Sequence, residues 1–168
     1  MPDNRYRQTE PLARSHKVTD FNCGEPELDL YLKRFAFNNQ RKEISRTYVT
    51  VRDENVVGYY TIAFGSVSPD DSADEIKAGL PKYDIPVMLL ARLAVDNGEK
   101  ANGLGRALLR DAMLRTVQAA NIAGLRAFLV HAKHAAARRY YEQFGFINSP
   151  TNELHLMLSI KDIRENLI

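Results

Sequence analysis

A single cysteine, Cys23, occurs in the 168 residues, which excludes an internal disulfide and any cysteine-based metal cluster. No nucleophile signature surrounds it, and a lone cysteine in an apolar turn reads as packing. No apolar run approaches the roughly twenty residues that a bilayer-spanning helix requires. The opening Met1-Pro-Asp-Asn-Arg5 has none of the apolar core of a secretory signal, so no membrane role and a cytoplasmic setting are expected. A dominant charge is missing too: the net charge is only +2, too small for a strong whole-molecule field. Internal repeats and low-complexity segments are absent from the sequence. What remains is an ordinary globular composition, 45% hydrophobic and 26% charged. Its length suits one domain over residues 1–168, with the polar residues 1–8 loosely held.

Hydrophobic periodicity and turn residues divide the chain. A short strand near Glu10–Ala13 leads to a turn at Phe21–Glu25. Pro26 suits the first turn of a helix, expected to run to about Asn39 with Leu28, Leu30, Tyr31, Leu32, Phe35 and Ala36 as its apolar surface. Residues 47–52 and 56–64 read as a hairpin around Asp53-Glu54-Asn55. A loop over 66–85 contains a short helix at about Asp74–Ala78. Then come a strand (87–95), a helix after Gly103, a strand (125–131), a short helix from Ala135, a last strand (154–160) and a charged tail. Antiparallel strands first and a β-α-β unit later predict an α/β fold: a mixed central sheet with helices on both faces.

The junction Lys100-Ala-Asn-Gly-Leu-Gly-Arg106 lies where the apolar strand Val87–Val95 gives way to a helix patterned by Leu104, Ala107, Leu108, Ala112, Leu114 and Val117. First-turn amides of a helix have no intrahelical acceptor, and the dipole adds partial positive charge there. Glycines let a polyanion reach that bare backbone, so the junction suits phosphate. A tight strand-to-helix turn explains the same glycines. Two phosphate-binding motifs are excluded by spacing. A Walker loop needs Lys-Ser/Thr after its last glycine, where Arg106-Ala107 stand, and the dinucleotide fingerprint needs a third glycine.

The second strand–helix pair, Leu125–His131 and Ala135-Ala-Ala-Arg-Arg-Tyr-Tyr-Glu-Gln-Phe-Gly-Phe146, ends at a C-terminal glycine. Together the two pairs, over about residues 87–146, resemble the GNAT acetyltransferases. The stretches Phe21-Asn-Cys-Gly-Glu-Pro-Glu-Leu-Asp-Leu-Tyr-Leu32, Ser45–Val49, Val57-Gly-Tyr-Tyr60 and Leu89-Leu-Ala-Arg-Leu-Ala-Val95 are similar to the GNAT toxins of bacterial type II toxin–antitoxin pairs, the TacT and AtaT type. That likeness covers about Pro11 to Ile163.

The resemblance implies the GNAT acyl-CoA N-acyltransferase fold, with acetyl-CoA as cosubstrate. The pantetheine would lie along Leu93, Ala94 and Val95. The pyrophosphate would sit on Lys100, Ala101, Asn102, Gly103, Leu104, Gly105 and Arg106. Members of the family usually carry Gln or Arg at Lys100; lysine keeps a donor and loses the planar fork, so a weaker hold is expected. Tyr141, four residues before Gly145, would be the general acid, with Tyr140 its competitor; a phenol, of pKa about 10, can protonate the leaving thiolate. An α-amine, with a pKa near 8 against about 10.4 for lysine, needs little base catalysis. Glu43 is a base only if the fold brings it close.

His131 and His134 lack a third ligand nearby, so no metal is expected; His134 caps the helix or touches the cofactor. Arg92, in an apolar strand, either pairs with an internal carboxylate or reaches toward a tRNA phosphate. Lys33, Arg34, Arg41, Lys42 and Arg46 form a basic cluster that reads as a solvated helix face or as a phosphate track. The resemblance favours the second, because such toxins act on aminoacyl-tRNA. It also implies a ribbon–helix–helix antitoxin that carries the pair to operator DNA, and a homodimer. Acetylation of a small amine or a protein N-terminus is the competing activity, and a catalytically dead binding module the competing class.

Overall fold

In the computed structural model, which describes residues 8–167, seven strands and the helical segments alternate much as the periodicity predicts. Strand β1 (Glu10–Pro11) is followed by α1 (Pro26–Leu30), a π-helical turn (Tyr31–Phe35) and α2 (Ala36–Arg41). Then come β2 (Arg46–Arg52), β3 (Asn55–Val67), α3 (Asp74–Lys77), β4 (Ile85–Val95) and α4 (Leu104–Ala120). The chain ends with β5 (Ala127–His131), α5 (Ala135–Glu142), β6 (Ile147–Asn148), β7 (His155–Ser159) and α6 (Ile160–Leu167). The sheet order is β1-β2-β3-β4-β5-β7-β6, with β4 and β5 parallel and the pairs β1–β2, β2–β3, β5–β7 and β6–β7 antiparallel. The loosely held start expected over residues 1–8 lies, apart from residue 8, outside the described residues.

Two compact units divide the chain. The first holds the residues up to Ala63 together with Ala91–Ala112. Its hairpin turns through Asp53 and Glu54, both left-handed (φ 52° and 68°), the two-residue geometry whose twist matches the flanking strands. Side chains alternate across β2 and β3. Val49, Val51 and Tyr59 face α1 and the π-turn in one core with Phe21, Leu28 and Tyr31. Tyr59 is buried on that face, stacked on Tyr31 and edge-on to Phe21, and its hydroxyl donates to Leu28 O at 2.7 Å. Thr50 and Gly58, on the opposite face, lie under Leu104 and Leu108 of α4. Helices therefore cover both faces of this part of the sheet.

The second unit comprises Phe64–Leu90 and Met113 onward. Ile76 of α3 packs with Val87, Ala127, Leu129 and Met157 on one face of β4, β5 and β7. On the other, Phe128 meets Phe146, the residue that follows α5 and Gly145. Arg126 secures the long loop by donating to Ile76 O (2.8 Å) and Ala78 O (3.1 Å).

Strand β6 was not expected, and three further elements differ from the expectation. The first helix runs on to Arg41 through the π-turn, in which Ala36 N bonds Tyr31 O. With one extra residue in the turn, Ala36 takes the core position above Tyr31, and Phe35 and Leu30, expected in the apolar surface, are exposed. The buried face of α4 is Leu104, Leu108, Leu109, Ala112 and Met113, whereas Ala107 and Leu114 face solvent. The charged tail is helix α6, anchored by the buried Ile160 and Ile163.

Candidate active site

The junction between β4 and α4 is built from the sheet outward. Asp96 N donates to Val57 O (2.9 Å), and the Asp96 carboxylate accepts from Gly98 N and Asn22 N, both at 2.9 Å. A single 3-10 turn, Asn97–Glu99, follows, and Asn97 N donates to Asn22 O at 2.8 Å. The backbone then passes through two left-handed residues, Ala101 (φ 70°) and Gly103 (φ 80°). Gly103 has open space where a Cβ would stand, so its glycine serves conformation and not clearance. The helix opens with Ala107 N bonded to Gly103 O (3.1 Å), so the amides of Leu104 and Gly105 precede its first hydrogen bond. Asn102 and Arg106 are exposed beside them. First-turn amides on a dipole's positive end, reached over a left-handed glycine, are chemically suited to hold an anion.

Lys100 is exposed at the loop's opening, but its Nζ donates to Cys23 O at 2.6 Å. The loop is thereby stitched to the Asn22–Gly24 turn that precedes α1. Upstream, Ala94 is buried in the α1 core, while Leu93 and Val95 are half-buried on the opposite face of β4. Arg92 shares the Ala94 face. No carboxylate meets it among the described residues: its guanidinium carbon lies 4.2 Å from the centre of the Tyr31 ring, and Nη1 donates to Ala91 O at 3.1 Å. The pairing with an internal carboxylate considered from the sequence is therefore not present.

Of the basic cluster, Lys33, Arg34, Arg41 and Lys42 are exposed on the π-turn, α2 and its C-terminal cap without an ion pair among the described residues. Arg46 differs, pairing with Glu43 at 3.1 Å. That ion pair occupies the glutamate considered as a base. Leu93–Val95, the turn, Arg92 and the basic cluster all belong to the first unit.

Tyr141 lies in the second unit on α5, a helix capped by His134, whose Nδ1 accepts from Ala137 N at 3.1 Å. Capping is thus the role the structure gives His134. Tyr141 is buried edge-on to Phe146 (5.6 Å between ring centres), and Tyr140 is half-buried, edge-on to Phe144 (5.2 Å). Helix α5 closes at Glu142, and Gly145 (φ 94°) turns the chain so that Phe146 lies against Phe128. The motif Tyr-Glu-Gln-Phe-Gly-Phe146 thus fixes the Tyr141 ring by packing.

His131 stacks on His155 across β5 and β7, ring centres 3.8 Å apart, and burial followed by the His155 charge lowers its pKa. No group of three or more potential metal ligands occurs among the described residues. Cys23 is buried, and burial followed by the hydrogen bond with Asp29 pushes its thiol up to about 11, which keeps it protonated and inert. Sequence reasoning missed Glu99: it is 4% exposed inside the turn, yet ion-paired to Arg52 at 2.6 Å. Nothing in its local sequence signals a partner at the far end of β2. No helix among the described residues is long and apolar enough to cross a membrane.

Residues 11–146 match the acetyltransferase (GNAT) family. Over 159 residues the chain is 48% identical to the tRNA-acetylating toxin of Mycobacterium tuberculosis (strain ATCC 25618 / H37Rv), covering 95% of each. Among solved structures, AtaT complexed with acetyl-methionyl-tRNAfMet has a TM-score of 0.89 at 27% identity, over 96% of this chain and 99% of that one. A variant of AtaT bound to the C-terminus of the antitoxin AtaR and acetyl-CoA scores 0.83 at 27% identity, over 96% and 98%. The AtaT–AtaR complex bound to DNA scores 0.78 at 28%, over 96% and 100%.

Proposed function

We propose, from the premise that this chain belongs to the acetyltransferase (GNAT) family, that it acetylates the α-amine of aminoacyl-tRNA and so blocks translation. The chain is an acetyl-CoA-dependent N-acetyltransferase. The observation that carries the tRNA reading is the full-length likeness to a tRNA-acetylating toxin, at 48% identity. The four exposed cations on the π-turn, α2 and its cap, without an ion pair among the described residues, support a phosphate-bearing acceptor over a small amine.

In this reading Leu93, Ala94 and Val95 hold the pantetheine along β4. Lys100, Ala101, Asn102, Gly103, Leu104, Gly105 and Arg106 form the pyrophosphate turn. A backbone amide of β4 stabilises the developing oxyanion, where preorganised donors contribute most. The acceptor nitrogen attacks the thioester carbonyl carbon and the C–S bond breaks. Tyr141 gives its phenolic proton to the departing thiolate. The proton shed by nitrogen passes to solvent, from which Tyr141 is reprotonated. An aminoacyl ester's amine is largely neutral at physiological pH, because even a free α-amine has a pKa near 8. The acid side of the transfer therefore matters more than a base.

Acetylated aminoacyl-tRNA cannot attack the growing peptide, so elongation stops. Lys33, Arg34, Arg41, Lys42, Arg46 and Arg92 track the tRNA phosphates. The protein works in the bacterial cytoplasm as a homodimer. A ribbon–helix–helix antitoxin neutralises it with a disordered tail and carries the pair to its own operator; relatives complexed with the antitoxin AtaR and with DNA support that partnership.

The test is labelled acetyl-CoA with a mixed pool of charged tRNAs, comparing the parent with Tyr141→Phe. Label is expected in the aminoacyl fraction with the parent, falling about 10²–10⁴-fold with the variant as general-acid catalysis is lost. Acetyl-CoA binding without label in that fraction would overturn the tRNA reading and redirect the search to small amines and protein N-termini.

A further inference from the structure

The turn between β4 and α4 contains a carboxylate that the transfer chemistry does not use. Glu99 is 4% exposed, a depth at which an ionised carboxylate is costly unless paired. One oxygen, Oε1, lies 2.6 Å from Nη1 of Arg52 at the end of β2, and the other accepts from Nδ2 of Asn102 at 3.3 Å. The side chain thus spans the residue between its two ends that carries strain. Ala101 holds a left-handed φ of 70° although it has a Cβ, a conformation that persists only where the surroundings over-determine it. Lys100 fastens the same segment from the other side, through Cys23 O at 2.6 Å.

We infer that Glu99, clamped by Arg52, is a positioning residue for acetyl-CoA, and that Lys100 serves the same clamp through Cys23. Together they hold Lys100–Gly103 in the one shape that aims the first-turn amides of α4 at the pyrophosphate. The inference rests on the reading of this turn as the pyrophosphate cradle. Charge makes it specific. A bare carboxylate in a polyanion site repels its ligand, so Glu99 is tolerable there only while Arg52 cancels it. Removing Arg52 alone is therefore worse than neutralising Glu99, and neutralising both restores part of what Arg52→Met loses. Burial alone imposes the same ordering on stability, so the mark of a positioning role is a loss of coenzyme A binding that spares S-acetylpantetheine.

The experiment titrates coenzyme A and S-acetylpantetheine, which has no pyrophosphate, into the parent, Glu99→Gln, Arg52→Met, the double variant and Lys100→Met. It also measures KM and kcat with charged tRNA. Loss of a charge-assisted hydrogen bond is expected to weaken coenzyme A binding by about tenfold in Glu99→Gln, and further in Arg52→Met. S-acetylpantetheine binding and kcat stay within about twofold, and the double variant returns toward Glu99→Gln. Parent-like coenzyme A binding in Glu99→Gln and Arg52→Met would overturn the inference and leave the acetyltransferase intact. Equal losses for both ligands, or a fall in kcat with thermal stability, would assign the pair to folding and also overturn it. A parent that binds S-acetylpantetheine as well as coenzyme A would instead remove the cradle itself.

Discussion

Gly58 sits where the cradle meets the sheet, and replacing it with alanine tests whether close packing there sets the position of α4. A Cβ at residue 58 would stand 2.9 Å from Leu108 Cδ1, 3.1 Å from Leu104 Cδ2 and 3.3 Å from Thr50 Cγ2. Leu104 is 4% and Leu108 1% exposed, so neither can swing into solvent to make room. Local preference pulls the other way: alanine in a strand interior is better than glycine by about 0.5–1 kcal/mol. Forcing an extra carbon into a filled core costs about 1–3 kcal/mol. The second effect is the larger, so Gly58→Ala should destabilise by about 1 kcal/mol and lower Tm by about 2–4 °C. Gly58→Val, a better strand residue by propensity, should be worse. Because Leu104 opens α4, both variants should also raise KM for acetyl-CoA more than they change kcat. Thermal unfolding and steady-state kinetics read the two effects. A Tm at or above the parent's in either variant would refute the reasoning, because it would show the leucines yielding without cost.

Two further outcomes follow from the charges. The double variant Lys33→Ala/Arg34→Ala should bind charged tRNA more weakly and flatten its salt dependence, each lost phosphate contact reducing the log–log slope by about 0.7–0.9; a filter-binding titration with the parent's slope would remove these residues from the interface. His131 has a lowered folded pKa, from burial and then from His155, so the unfolded chain takes up the proton first as pH falls. Its contribution is complete above the ordinary histidine value of about 6.5 and is lost as pH drops through the folded pKa. Tm should accordingly decline as pH falls below about 6.5, and less in His155→Gln; an unchanged slope in that variant would dismiss the pair as its source.

Periodicity placed nearly every strand and helix because each buries one face against a neighbour, and the two glycine-ended motifs placed the candidate site. Failures came where a tertiary contact overrides the local pattern. Phe35 reads as core by its spacing from Leu28 and Leu32, yet the π-turn gives the core position to Ala36. The bond from Lys100 to the Cys23 carbonyl was not legible either, because it joins residues remote in sequence. Glu99 went unread for the same reason, since its partner Arg52 stands on another strand. His134 was legible because a cap is local: the acceptor and the amide it bonds are three residues apart.

The first unit also shows how a partner decides what an arginine does. Arg52 faces a buried carboxylate, so its charge is cancelled and its effect is confined to the shape of the turn. Arg92, half-buried on β4, has the face of Tyr31 instead, 4.2 Å away. A cation over an aromatic ring is stabilised by about 0.5–2 kcal/mol without any opposing charge. The guanidinium is therefore steadied in a largely apolar strand while its field stays positive, the state in which it attracts the phosphates of the proposed acceptor. A carboxylate in place of Tyr31 would hold Arg92 as firmly and cancel that attraction. The π-turn matters for this reason, because it brings Tyr31 under Arg92 while leaving Lys33 and Arg34 exposed. One irregular turn thus holds one cation by its ring and presents two more to solvent.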